Sequence, residues 1–478
     1  MRQVLLAAAL WAGCAALAAA ADQRLVEAAK RQDAAAVRSL LKQGAPPNDS
    51  QPDGATALHW AAHFDDIVSA EALLGAGARV DARNDYGVTP LSLAAVNGSA
   101  RMVAALLKAG AAPDLSLPSG ETPLMTAARV GSTEVTVLLL DKGAAINHRE
   151  SAKGQTALMW ALYEGHTGTA RLLLDRGADV HLPSAGGMTP LLFAARQGSM
   201  DAVALLLDRG ARIEDANSDG VTPLLMAVVR GHVPAVLLLL ERGANAKTSG
   251  AGFTPLHWAA GTWETSMTHD YPEAEGEWRA LGGLGGQKAV VIKALVARGA
   301  DVNARLTKSP PRFGINMFYV VRTNGATPFW IAAMSTDVEM MRLLASLGAD
   351  ANLRNEDRVT PLMATTGVGR VEGDSLLGDA PSIAAAKVCL ELGNDINAQS
   401  DTGETALHGT AWFGLDETAR FLVEHGADMT ITDKGGQTPE QMAEGTTRTL
   451  LFRTHPSTAR VLHELAVAKG LSAPATTR

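Results

Sequence analysis

Hydrophobic positions in this chain come in short blocks separated by glycine, and each block has a helical period. Residues 222–250, TPLLMAVVRGHVPAVLLLLERGANAKTSG, show the pattern. Leu224, Ala227 and Val228 stand at i, i+3 and i+4, on one face of a helix. Thr222 suits the N-cap, where a hydroxyl accepts from an orphan N–H, and Pro223 suits the first helical position. Gly231 ends this short helix. A second helix is predicted from Val233 to about Arg242, around the apolar run Ala235–Leu240. Gly243 follows where the chain must turn left-handed, and Asn245–Gly250 is small and polar, as a reversing loop requires. Neither helix is long enough to be stable alone. Alanines at the inter-helix positions let backbones approach, so stability must come from stacking one such unit on the next.

The unit recurs. A Thr-Pro/Ala-Leu-like motif begins at Thr56, Thr89, Thr122, Thr156, Thr189, Thr222, Thr254, Thr327, Thr360, Thr405 and Thr438. Most of the gaps are 32 to 34 residues, and the two long ones, 73 and 45, are one unit plus 40 and 12. A period of 33 residues is the mark of a solenoid of supersecondary units.

By these motifs the chain resembles the ankyrin-repeat family. Thr56-Ala-Leu-His-Trp-Ala-Ala62 and Thr254-Pro-Leu-His-Trp-Ala-Ala260 are similar to that family's first helix. Gly299–Asn303 and Gly348–Asn352 are similar to the end of its second. The resemblance covers residues 23–470 and implies an all-α ankyrin-repeat solenoid, a curved stack of about twelve helix-turn-helix-loop units. Leu25–Gly44 lacks the threonine motif but keeps two helices, as an N-terminal capping repeat would.

Three insertions interrupt units seven to nine. One, near Gly261–Gln287, falls between the two helices of a unit and is acidic, with Trp263, Tyr271 and Trp278. The next, Arg305–Arg322, enlarges a hairpin loop and is basic and aromatic. The third, near Gly369–Ala380, reads as a plain Gly/Asp-rich loop. Long aromatic loops in a solenoid either bind or fold back over exposed edges. Past the last threonine, Ser457–Lys469 is predicted to be a closing amphipathic helix, and residues 471–478 a frayed tail.

Composition narrows the function classes. The formal charge is −8 and no Lys/Arg block occurs, so no nucleic-acid footprint is present. Residues 1–21, MRQVLLAAALWAGCAALAAAA, combine one cation, an apolar stretch and small residues before Asp22, which reads as a cleaved secretory signal peptide. A membrane anchor is the alternative, weakened because the run is Ala-rich and short, so no span is expected after cleavage. Trp11-Ala-Gly-Cys14 resembles a bacterial lipoprotein cleavage box, with Trp where Leu is usual, and would place a lipid anchor at Cys14. Without Cys14, Cys389 is the only cysteine and the fold must hold without an intramolecular disulfide. These features point to a periplasmic or secreted bacterial protein, expected to be monomeric.

The family resemblance implies binding on a concave wall built from hairpin tips and the outward face of the first helix. Counting from each threonine, that face holds positions four, seven and eight. The partner-binding candidates are therefore Trp60, His63 and Phe64; Arg129; Trp160 and Tyr163; Phe193 and Arg196; Arg230; Trp412 and Phe413. Thr126, Val130, Glu164, Gln197, Met226 and Val229 complete the register. Arg129, Tyr163 and Arg196 should line up beside Trp160 and Phe193, and arginine and large aromatics dominate interface energetics. Each tryptophan alone is explained as well by covering the adjacent helix. His59, His257 and His408 occupy the position where the family ties neighbouring loops together, and no zinc-spaced cluster or phosphate loop is found. No cofactor or metal is expected. The reading is a non-catalytic protein–protein interaction scaffold. Two alternatives remain: an enzyme using His269, Asp270, Glu273 and Glu275 of the acidic insertion, or an effector acting on host proteins.

Overall fold

Most of the threonine motifs start a helix because the side chain closes the helix's first turn. In this computed structural model, which describes residues 23–261, 284–308, 323–368, 377–445 and 454–471, Thr122, Thr156, Thr189, Thr222 and Thr327 accept from the backbone N–H three residues on. The residues are extended at the cap and helical immediately after it. The expected unit is observed: Pro223–Val229, then Val233–Glu241, with Gly243 left-handed at φ 93°.

Twelve such helix pairs are described, with no β-strand among the described residues. They fall into two units, divided after Arg212. Residues 23–212 hold six pairs, from Arg24–Lys30 with Ala34–Lys42 to Pro190–Gln197 with Met200–Asp208. Residues 213–471 hold the other six, ending with Pro439–Glu444 and Pro456–Ala468. Within each unit every first helix packs on the first helices before and after it, and the second helices do likewise. The cores are layers of small and aliphatic side chains: Ala61, Ala62, Ala94, Ala95, Ala127 and Ala128 are fully buried, with Leu73, Leu106 and Leu139 between the helix layers. Alanine is what lets short helices approach closely enough to exclude water.

Two sets of hydrogen bonds join neighbouring units. Loop side chains 33 residues apart accept from the next unit's backbone: Asn48 from Arg79 N–H (2.7 Å), Asp81 from Ala112 (3.1 Å), Asp114 from Ala145 (2.9 Å) and Asn147 from Asp179 (2.9 Å). Val180 comes next in that series and has no acceptor to offer. The second set uses the buried histidines. His59, His257 and His408 accept the cap threonine's N–H on Nδ1, and their Nε2 donates to the carbonyls of Val88, Ala326 and Gln437 in the following unit. Trp330 stands at the same position in its own unit and replaces the imidazole, its indole N–H donating to Val359 O (3.0 Å).

The irregular spacings have local causes. Glu150 occupies the place of Asn84 and Asn217, whose amide oxygens close tight hairpins. The hairpin there has one more residue, and the longer carboxylate spans it, accepting from the N–H groups of Ala152, Lys153 and Gln155. The second insertion enters at a hairpin tip: Leu306 N–H still bonds Ala326 O (3.0 Å) and Gly325 N–H bonds Leu306 O (2.7 Å), closing the base across it. The third differs from expectation. Asp379 and Ala380 are not loop but the start of a 13-residue helix, Asp379–Glu391, and Asp379 accepts from both the N–H and the hydroxyl of Thr418 (2.7 Å each). The closing helix runs Pro456–Ala468. The leader with Cys14, most of the first and second insertions, residues 369–376 of the third and the tail lie outside the described residues.

Two outcomes test this account. Gly243 has open space around a would-be Cβ, so Gly243→Ala should cost only the left-handed backbone penalty, about 1 kcal/mol. At Gly220 (φ 76°) a Cβ would lie 2.3 Å from the Gly250 backbone, so Gly220→Ala should cost clearly more in urea titrations. Equal costs would refute the close approach of the two loops. The histidine ties make stability depend on pH. Burial lowers the pKa of His257 to about 4, outweighing the carbonyl hydrogen bonds that raise it, and burial lowers His59 and His408 as well. The neutral rings stabilise fully above the unfolded value near 6.5. That contribution is lost as pH falls from there toward 4, by up to about 1.4 kcal/mol per pH unit for His257. Gln441 fills this position in the last unit and accepts from Thr438 N–H without titrating. His257→Gln should therefore flatten the fall in Tm between pH 7 and pH 5; an unchanged slope would rule out titration of this ring.

Candidate functional site

The candidate surface is the outward face of the first helices in residues 23–212. Helix register puts positions four, seven and eight there, and the capping threonines set the phase. The structure brings Arg129, Trp160, Tyr163, Phe193 and Arg196 together. The Arg129 guanidinium lies over the Trp160 ring, 5.7 Å from its centroid, and Arg196 lies 5.2 Å over Tyr163. Tyr163 meets Phe193 edge-on at 6.4 Å. A cation above an aromatic face is held by the ring's quadrupole, and the arrangement alternates charge and π-surface along three consecutive units.

Other side chains hold this cluster in place. Glu121 pairs with Arg129 at 3.1 Å and also accepts from Thr126 Oγ1 at 2.9 Å. His166 donates to the Arg129 carbonyl (3.1 Å), and its ring lies against Gly131, where a Cβ would come within 2.6 Å of Nδ1. Gln197 donates to the Tyr163 carbonyl, and in an earlier unit Asn97 donates to the carbonyls of Ala62 (3.0 Å) and His63 (2.8 Å). Position eight thus repeatedly satisfies the open carbonyls at the end of the preceding first helix.

Trp60, His63 and Phe64 form a second aromatic group on the same face. Trp60 stacks on Phe64 at 5.8 Å and meets His63 edge-on, with Lys30 Nζ 5.0 Å above its ring. His63 and Phe64 are exposed. The remaining candidates belong to residues 213–471. Arg230 is half-buried, Trp412 donates to Glu404 (2.8 Å), and Phe413 rests against Gly367.

Three positions differ from expectation. Phe193 is 2% exposed, so it backs Tyr163 rather than offering a surface of its own. Thr126 and Val229 are also buried, because neighbouring first helices and the hairpin ends cover part of this register. Conversely, Lys30, Val96 and Glu121 join the surface without having been singled out. Lys30 and Val96 carry a plain signal, since they hold position seven of their units. The histidine, aspartate and glutamates of the acidic insertion lie outside the described residues, and among the described residues no cluster could hold a metal ion. No described helix is long and apolar enough to cross a membrane.

Comparison with known proteins bears on the fold just described. A model of "Ankyrin repeats (3 copies)" matches residues 25–116, 100–184 and 191–262, and one of the single "Ankyrin repeat" matches 324–356 and 402–434. The chain belongs to the ankyrin-repeat family. It is similar to the E3 ubiquitin-protein ligase KEG of Arabidopsis thaliana, 26% identical over 166 residues, 32% of this chain and 9% of that one. It is also similar to neurogenic locus notch homolog protein 1 of Mus musculus, 38% identical over 94 residues, 19% of this chain and 4% of the other. The chain thus spans under a tenth of the length of these relatives. Among solved structures, the human ASB11 ankyrin repeat domain matches with 31% identity and a TM-score of 0.42, covering 45% of this chain and 96% of that one. Ankyrin repeats in general are protein–protein interaction modules, and the ankyrin face assembled here is rich in the residue types such interfaces use.

The division between support and surface can be measured. Phe193→Ala should cost about 3–5 kcal/mol in chemical denaturation, as for a fully buried phenylalanine. Arg196→Ala, on the half-exposed layer above it, should stay within about 1 kcal/mol. Similar costs for the two would contradict the burial described.

Proposed function

We propose that this protein is a non-catalytic, exported bacterial interaction scaffold that grips a partner protein with the first-helix face of residues 23–212. The observation that carries the reading is the Arg129–Trp160 and Arg196–Tyr163 ladder continuing toward Trp60, His63 and Phe64. Arginine and aromatic side chains held in place before binding lose little entropy on association. The role of the buried imidazoles supports a non-catalytic reading: His59, His257 and His408 spend both ring nitrogens on structural hydrogen bonds. Export is supported by the leader-like character of residues 1–21, and anchoring at Cys14 by the lipoprotein-box resemblance around it.

Affinity capture by the chain from extracts of its source cells, compared with an Arg129→Glu/Arg196→Glu double variant, tests the surface. Capture should be lost while circular dichroism stays unchanged and melting shows the variant still folded; undiminished capture would remove the face from consideration. Fractionation of a tagged full-length chain tests the destination, with recovery expected outside the cytoplasm.

A further inference from the structure

Two buried donors on this face have no acceptor among the described residues. Trp160 Nε1 and Arg129 Nε are both sealed from water and unpartnered among the described residues, and they belong to side chains stacked on one another. The contrast with other tryptophans is informative. Trp60 donates to Gln51 (3.0 Å), Trp330 to a backbone carbonyl and Trp412 to Glu404. In the unit of Trp160, the residue corresponding to Gln51 is Ser151, too short to reach, and the neighbouring Glu150 carboxylate is taken up by backbone N–H groups. A buried donor without an acceptor is destabilising, and a partner that brings the acceptor recovers the loss.

A second observation comes from exposure. Phe64, Val96, Val130 and Tyr163, one on each of four consecutive first helices, are 37–50% exposed. In residues 213–471 the exposed large hydrophobics are Leu237, Val290, Leu392 and Val467, none of them on a first helix among the described residues. The apolar stripe is therefore particular to the unit that carries the unsatisfied donors. Packed helices lie roughly 10 Å apart, so the stripe steps by about that distance. An α-helix laid along it returns the same face every seven residues, at about 10.5 Å. A β-strand would need three residues per step and would turn alternate anchors away.

Resting on the interaction reading above, we infer that the partner presents an acidic amphipathic helix. Its apolar residues, seven apart, cover Phe64, Val96, Val130 and Tyr163. A carboxylate beside that row enters between Arg129 and Trp160 and accepts from both donors. Arg129, whose side chain is 39% exposed, swings from its place over the ring to admit it, and Glu121 keeps its hold on Nη2. Lys30 and Arg196, set over Trp60 and Tyr163, meet acidic residues at either end of the helix. Carboxylate–guanidinium pairing supplies orientation as well as attraction.

The test is a displayed library of random 20-residue peptides selected on the full chain. Enriched peptides should carry apolar residues on one helical face with aspartate or glutamate beside them, and synthetic copies should gain helicity on binding. Fluorescence anisotropy should show at least tenfold weaker binding to Arg129→Gln and to Trp160→Phe, with melting curves confirming that each variant is folded. Replacing the peptide's acidic residues by their amides should cost a similar factor. If binders are lost on Val96→Gln or Tyr163→Gln but show no acidic preference and ignore Arg129→Gln, the acidic helix is wrong and the interaction face stands. Enriched peptides that bind extended, or that carry proline within the bound segment, overturn the helix. Binders indifferent to every one of these substitutions, or no binders at all, overturn both readings.

Discussion

Close packing of one first helix on the next is what the rest of this molecule depends on. The helices are mostly six to nine residues long, below the length at which a helix persists in water. Burial of alanine and leucine against the neighbouring unit supplies the stability that propensity cannot. That requirement explains why large side chains are excluded from the inter-helix positions and collect on the outer register. It also explains why the cap threonines are so regular: a slip in helix phase would turn the alanine face away from its neighbour.

Hydrogen bonding between units is built from interchangeable parts. Imidazole at His59, His257 and His408 and indole at Trp330 perform one task, donating to the carbonyl just before the next cap. Asn, Asp and Glu side chains share another, accepting from a backbone N–H of the next unit. Where such a tie is made, different side chains of suitable reach make it. The extra residue before Thr156 follows the same logic, because a glutamate spans the wider hairpin that asparagine closes elsewhere.

The candidate face follows from the same geometry. Positions four, seven and eight lie on the side of the first helix away from the alanine layer; stacking still covers some of them, such as Phe193 and Thr126, and leaves others, such as Tyr163, exposed. In residues 23–212 these positions carry cations lying on aromatic rings, and two donors there have no acceptor among the described residues.

The chain alone determined the unit, its period and its phase. Thr-Pro caps, alanine at i+3 and i+4 and glycine after the second helix are local signals, and repetition made them unambiguous. It also determined which residues share the outer register, because helical periodicity needs no tertiary information. Only the tertiary structure decided how deep each of those residues sits. Phe193 and Thr126 occupy register positions as good as those of Tyr163 and Arg129, yet neighbouring units cover them. The helical start at Asp379 was equally hidden, since Asp379 is held by Thr418 of the next unit, 39 residues away. The missing acceptor of Trp160 is a fact of the same kind. Whether a buried donor is satisfied depends on which side chains from distant parts of the chain reach it, and periodicity carries no record of that.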